Sequence, residues 1–171
     1  DVETMLAESL REAAGAAPDR RVALTLDIRP DARFAIVDQA QVTQAVDALV
    51  RNGIRFTPDG GSVTVRALAQ AEEFVIEVRD TGIGLSAEAR RRLFDESFVQ
   101  HDSRHHHTSQ GLEFNVAGMG FGLALVRRVV ESHGGRLLVD GEEGRGSVFT
   151  LRFPGAVVIV QDPPERQRKA A

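Results

Sequence analysis

Residues 79–85 read Arg79-Asp80-Thr81-Gly82-Ile83-Gly84-Leu85, and residues 118–123 read Gly118-Met119-Gly120-Phe121-Gly122-Leu123. These two glycine clusters decide how the rest of the chain is read. The first follows a short segment, Phe74 to Arg79, in which Ile76 and Val78 share one side, the period of a half-buried strand. An acid at the end of such a strand, beside small residues, can meet a flat polar ligand, because glycine has no Cβ to hold the ligand away. In the second cluster alternate glycines open a helix that runs to His133, with Leu123, Val126, Val129 and Val130 inward and Gly134 and Gly135 stopping it. Free N–H groups at a helix N-terminus, together with the helix dipole, attract phosphate. No Gly-Lys-Ser/Thr follows either cluster, and the spacing is G-x-G-x-G, so neither a P-loop nor a dinucleotide fingerprint is present. Each cluster alone reads equally well as an ordinary turn.

Outward from these clusters the chain alternates strands and helices without a repeat. Residues 1 to 15 predict a helix with Val2, Met5, Leu6 and Leu10 on one face, ended by Gly15 and Pro18. Arg21 to Ile28 alternates as a strand, and Phe34 to Val37 is expected as a second one. Asp38 is placed to cap a helix from Gln39 to about Phe56, whose apolar face is Val42, Ala45, Val46, Leu49, Val50 and Gly53. Thr57-Pro58-Asp59-Gly60-Gly61 is a turn. Ser62–Ala69 and Phe74–Arg79 predict a hairpin, Ser86 caps a short helix through Leu93, and strands Arg136–Val139 and Ser147–Phe153 close the domain. Residues 95–117 show no period, and a loop of that length is expected to be functional or disordered. Adjacent strand pairs mixed with helices give an α+β class in two layers, not a βαβ series.

Composition bounds the rest. The chain has 171 residues, 42% of them hydrophobic, enough for a single domain with a real core. It contains no cysteine, which excludes disulfides, thiolate zinc sites and a cysteine nucleophile. The 21 Lys and Arg against 25 Asp and Glu give a net charge of −4, so the basic footprint of a nucleic-acid binder is absent. No apolar run approaches a membrane span. The domain is expected to be soluble and cytoplasmic, with any membrane anchor elsewhere in a parent protein.

Taken together and in order, residues 41–61 (QVTQAVDALVRNGIRFTPDGG), 79–85 (RDTGIGL), 93–98 (LFDESF) and 118–135 (GMGFGLALVRRVVESHGG) resemble the asparagine box, first glycine box, phenylalanine box and second glycine box of bacterial sensor histidine kinases. The resemblance covers the chain from residue 1 to about 154. It implies an ATP-binding catalytic domain of the Bergerat type: a two-layer sandwich in which a mixed, mostly antiparallel sheet of about five to six strands packs on three main helices, with a long ATP lid. The implied division is 1–155 for the catalytic domain, with a linker helix at 1–16 and the lid at 95–117, and 156–171 for a C-terminal tail.

The resemblance also implies roles. Asn52 matches the asparagine that binds Mg²⁺ bridging the ATP phosphates, and an amide oxygen suits that hard cation. Arg55, one turn along the same side of the helix, matches the family's phosphate-reaching cation; on its own it reads as a solvated charge. Asp80 matches the acid that accepts from the adenine amino group, and Gly82 and Gly84 shape the base pocket. Gly118, Gly120 and Gly122 hinge the lid and line the phosphates, and Leu123 follows them at the nucleotide. Ser147 falls near a position that can hydrogen-bond close to the base; on its own it reads as a strand-edge serine.

The sequence departs from the family at Ala48, where many members carry a second polar residue four positions before the magnesium asparagine. Residues 48 and 52 are about 40° apart on a helix, whereas Asp47 is about 140° from Asn52 and cannot stand in. This puts ATP hydrolysis by water in doubt without forbidding transfer to histidine, which rests on positioning and charge stabilisation. Arg104 and His105–His107 are expected in a mobile lid rather than at a metal site, and His133 is expected to suit its helix end as a cation. The phosphoacceptor hairpin is not seen in this sequence. The expected function is therefore transfer of the γ-phosphoryl group of Mg-ATP to a histidine on a dimerisation hairpin elsewhere, with a response regulator downstream. The domain alone is expected to be monomeric and the full kinase dimeric. Two alternatives stand beside it: a degenerate nucleotide- or partner-binding module, and an anti-sigma-type serine kinase. Ala156 to Pro164 reads either as the opening of a receiver domain or as an edge strand before a basic tail.

Overall fold

The computed structural model describes residues 1–86 and 119–156, with side chains in the second segment from Gly122 onward. The expected Ser86–Leu93 helix, phenylalanine box, lid, Gly118 and nearly all of the C-terminal tail lie outside the described residues. Three helices are seen: α1 (Val2–Gly15), α2 (Gln39–Phe56) and α3 (Met119–Ser132). Five strands form one sheet: β1 (Ala23–Ile28), β2 (Ser62–Gln70), β3 (Glu73–Asp80), β4 (Arg136–Gly141) and β5 (Ser147–Pro154). The sheet order is β1-β2-β3-β5-β4, with β1 and β2 parallel and every other pair antiparallel. This is the expected mixed sheet on a helical layer.

α1 and α2 each begin where a side chain satisfies a free N–H group. The Asp1 carboxylate accepts from Thr4 N at 2.8 Å, and that of Asp38 accepts from Gln41 N at 3.1 Å. From there the spacing of apolar residues sets one buried face. In α2 that face is Val42, Ala45, Val46, Leu49, Val50, Gly53 and Ile54. α2 packs against α1, α3, β2 and β3, so it is the centre of the helical layer.

Period-two alternation does the same for the strands, and the register turns it into rows. Leu26, Val65, Val78, Phe149 and Val139 pair across all five strands, as do Ile28, Ala67, Ile76, Leu151 and Leu137. Both rows face the helices and are apolar throughout. Phe74 and Phe153 stack behind them with ring centroids 6.0 Å apart. The row at the other end begins Leu24, Val63 and then turns polar at Asp80, Ser147 and Gly141.

One local expectation is corrected. Phe34–Val37 is not a strand: it is squeezed between a 3-10 turn, Pro30–Ala32, and the cap of α2, and only Ala35 makes a bridge. At the end of α3 the His133 ring meets the Asp38 N–H through Nε2 at 3.1 Å and Val129 O through Nδ1 at 2.7 Å. It ties the end of α3 to the start of α2.

The β2–β3 hairpin turns on Ala71 and Glu72, at φ 50° and 65°. A two-residue hairpin loop with both φ values positive favours Asn-Gly, because a Cβ is strained there. Replacing the pair (Ala71→Asn with Glu72→Gly) should raise stability by about 1 kcal/mol. A higher urea midpoint at unchanged slope would show it, and an unmoved midpoint would contradict it.

Candidate functional site

The break in the apolar rows is the centre of the site. Asp80 is the last residue of β3, and alternation points its side chain to the helical layer, where an apolar residue would complete the core. It is 7% exposed, as is Ser147 opposite it. A carboxylate taken out of water needs donors. Asp80 Oδ1 receives the N–H of Gly82 at 2.8 Å and that of Ser147 at 3.3 Å. Burial pushes the Asp80 carboxyl above its ordinary value, while these two N–H groups and the Ser147 side chain pull it back. The Ser147 that reads alone as a strand-edge residue is thus a partner of Asp80.

After Asp80 the chain turns across the end of α2. The Ile83 N–H donates to Phe56 O at 3.0 Å, filling one of the carbonyls a helix leaves open at its C-terminus. Gly82 lies so close that a Cβ there would stand 2.3 Å from the same carbonyl oxygen. From the other side the β4–β5 turn closes on the loop. Gly144 N donates to Ile83 O at 2.8 Å, Gly84 (φ 70°) lies against the Glu142 carbonyl, and Gly146 (φ 85°) against that of Asp80. A cleft of about 590 Å³ opens here, with Asp80, Leu85, Ser86, Gly146 and Ser147 in its walls.

One turn back along α2 stands Asn52. Its amide nitrogen lies 3.4 Å from where a Cβ on Gly122 would sit, and Ala48 Cβ lies 3.6 Å from the same point. The asparagine and second glycine cluster therefore meet at the start of α3. The backbone of Gly120 belongs to the first turn of α3, and Leu123 packs half-buried against the core. Arg55 Nε is buried and, among the described residues, has no hydrogen-bond partner.

The structure brings the expected residues together in two groups. Asp80, Gly82, Gly84 and Ser147 form one; Asn52 and Gly122 form the other. The C-terminal turn of α2 joins them through Phe56. Sequence reading misses the Phe56 carbonyl, since no side chain signals it, and it misses the 141–146 turn. The glycines at 141, 144 and 146, ahead of a strand, were the available signal there.

An open mixed sheet with its helices on one face is the architecture of the histidine-kinase ATPase domains. Residues 37–157 match the family model described as histidine kinase-, DNA gyrase B- and HSP90-like ATPase, and the chain belongs to that family. Its relatives place it with the ATPase domains of two-component sensor kinases. The circadian input-output histidine kinase CikA of Thermosynechococcus vestitus is 38% identical over 75% of this chain and 16% of its own length. The sensor-like histidine kinase SenX3 of Mycobacterium tuberculosis is 30% identical over 99% of this chain and 40% of its own length. The structure of full-length ShkA in complex with AMPPNP is 26% identical with a TM-score of 0.72, covering 94% of this chain and 31% of that one. The chain thus spans less than half the length of these relatives. Among the described residues no helix is long and apolar enough to cross a membrane.

The buried acid makes stability depend on pH in a defined direction. A folded-state pKa above the ordinary 3.8 means the folded state holds the proton more tightly than the unfolded chain. That contribution is complete below pH 3.8 and is lost as pH rises through the folded value. Asp80→Asn keeps the acceptor oxygen without the charge. It should therefore be more stable than the parent at neutral pH, by a margin that shrinks as pH falls. Urea midpoints of both proteins between neutral and acidic pH measure the margin; one that stays constant would contradict the assignment.

Proposed function

We propose that this domain binds Mg-ATP and passes the γ-phosphoryl group to a histidine on a separate helical hairpin, as the ATP-binding part of a two-component sensor kinase. The observation that carries the reading is Asp80, a buried carboxylate at the end of an otherwise apolar layer, bordered by backbone rather than by bulk. A carboxylate has about four acceptor sites, so the two backbone donors leave capacity for the adenine amino group. Guanine presents a carbonyl at that position, and its oxygen would face the Asp80 carboxylate unfavourably.

Gly82 and Gly84 then form the floor of the base pocket with Ser147 beside it. Asn52 and Arg55 face the phosphates, with Gly118, Gly120 and Gly122 bringing the N–H groups of α3 toward them. The residues present fit a magnesium ion: the Asn52 amide supplies an oxygen donor at the glycine-opened helix end, and phosphates and water supply the others. When bound, Mg²⁺ neutralises charge on the phosphate oxygens. The buried Arg55 Nε would find in a phosphate the acceptor it lacks. Residues 1–155 act as the catalytic domain, with 1–16 as the link to the hairpin and 95–117 as the lid. The partners are that hairpin and a response regulator, met in the cytoplasm.

Ala48 favours one feature of the alternative reading. At position 48 a methyl, packed 3.6 Å from the Gly122 position, stands where a polar side chain could activate water. Free ATP hydrolysis is therefore slow, while transfer to an imidazole, already a nucleophile, depends on positioning and charge stabilisation. Labelled ATP supplied with a histidine-bearing hairpin from a sensor kinase distinguishes the two. Label on the hairpin supports the kinase, and nucleotide binding without transfer supports a binding module.

Two substitutions test the roles. Asp80→Asn should weaken ATP about tenfold to a hundredfold, the worth of a charged hydrogen bond. Asn52→Ala should weaken Mg-ATP more than metal-free ATP, since its amide acts through the ion. Calorimetric titration reads both; equal losses with and without Mg²⁺ would make Asn52 a structural residue.

A further inference from the structure

The turn between α1 and β1 holds a charged side chain that the site does not yet account for. Arg20 is sandwiched against the segment after α2, with its side chain 13% exposed. Its Nη2 donates to the Thr57 carbonyl and its Nε to Asp59 Oδ1 at 3.0 Å. The neighbouring backbone follows it: Arg21 N donates to Asp59 Oδ1 at 3.2 Å, Gly60 N to Arg21 O at 2.7 Å and Ala23 N to Gly61 O at 2.9 Å. Thr57 is fully buried and is the residue at which α2 leaves helical geometry. The carbonyl just before it, on Phe56, is the one that docks Ile83 and sets the position of Gly82.

From this geometry we infer that Arg20 is a positioning residue for the nucleotide site. It clamps the peptide after α2 and thereby holds the 80–85 loop. The planar guanidinium reaches two acceptors at once, a carbonyl and a carboxylate, in a fixed fork that the compact ammonium of a lysine does not reproduce. It also places a fixed cation at the C-terminus of the helix that carries Asn52 and Arg55, the end where the dipole favours one. Arg21, by contrast, meets Asp59 with its side chain 86% exposed, so water screens that pair and its loss matters little. Because α1 ends a few residues before Arg20, movement of α1 reaches the base pocket through this clamp. A displaced Arg20 would release the Thr57 peptide, loosen Phe56 O and let the glycine loop drift away from Asp80.

The inference rests on the ATP-binding reading, and its test separates the two. The amide exchange of Ile83, whose N–H bonds to Phe56 O, is measured in the empty chain for the parent, Arg20→Ala and the milder Arg20→Lys. ATP affinity is measured on the same proteins. Glu73→Ala, which breaks the Arg136 and Arg152 pairs on the far face of the sheet, controls for general loss of stability. Arg20→Ala should speed Ile83 exchange about tenfold, the scale of one charged hydrogen bond, while Val126, Val129 and Val130 stay protected. ATP should weaken in step, Arg20→Lys should fall between, and Glu73→Ala should change neither. Unchanged Ile83 exchange in folded Arg20→Ala or Arg20→Lys would overturn the inference, as would the same acceleration in Glu73→Ala. A parent chain that binds no ATP would overturn the functional reading, and Ile83 would still decide whether Arg20 holds the loop.

Discussion

Burying the carboxylate of Asp80 is the constraint on which the rest of the site depends. A charge taken from water into the end of a core destabilises the fold unless donors meet it. The donors here are backbone N–H groups, which fix the loop as firmly as the carboxylate. Gly82 must come back within reach of Oδ1, and it can do so only by passing against the Phe56 carbonyl, where no side chain fits. Ser147 must stand opposite, which the antiparallel register of β3 and β5 provides. The acid that weakens the core thus dictates the path of the first glycine loop, and the loop dictates the shape of the cleft.

α2 carries this constraint to the other half of the site. Its apolar face anchors the helical layer, and its flank and last turn carry Asn52, Arg55 and the Phe56 carbonyl. One rigid element therefore sets the distance between the residues proposed for the phosphates and the acid proposed for the base. Rigid elements hold such spacing better than loops do. The small residues Ala48 and Gly122 allow the start of α3 to lie close to Asn52. The small side chain at position 48 and the closeness of the two helices are the same structural fact.

Much of this was legible in the sequence because it follows from short-range rules. The face of α2 follows from helical spacing, and the inward place of Asp80 follows from counting by twos from Ile76 and Val78. The strand expected at Phe34–Val37 failed because four consecutive apolar residues say nothing about whether a neighbour is free to pair. The tie from His133 to the start of α2 was not legible, because only the fold brings the Asp38 N–H to its ring. Arg20 gave no sign of its role. Next to Asp19 and Arg21 it looks like part of a solvated charge run, and only the fold brings Thr57 and Asp59 to it.

The central claim is that one buried acid reads an adenine whose phosphates are held, through Mg²⁺, by the end of α2 and the start of α3. Competitive titration of the parent chain with ATP and GTP, each with and without Mg²⁺, tests it most directly. The account predicts that ATP binds far more tightly than GTP whether or not the metal is present, and that Mg²⁺ tightens ATP further. Equal affinity for the two nucleotides, or no binding of either, would contradict it.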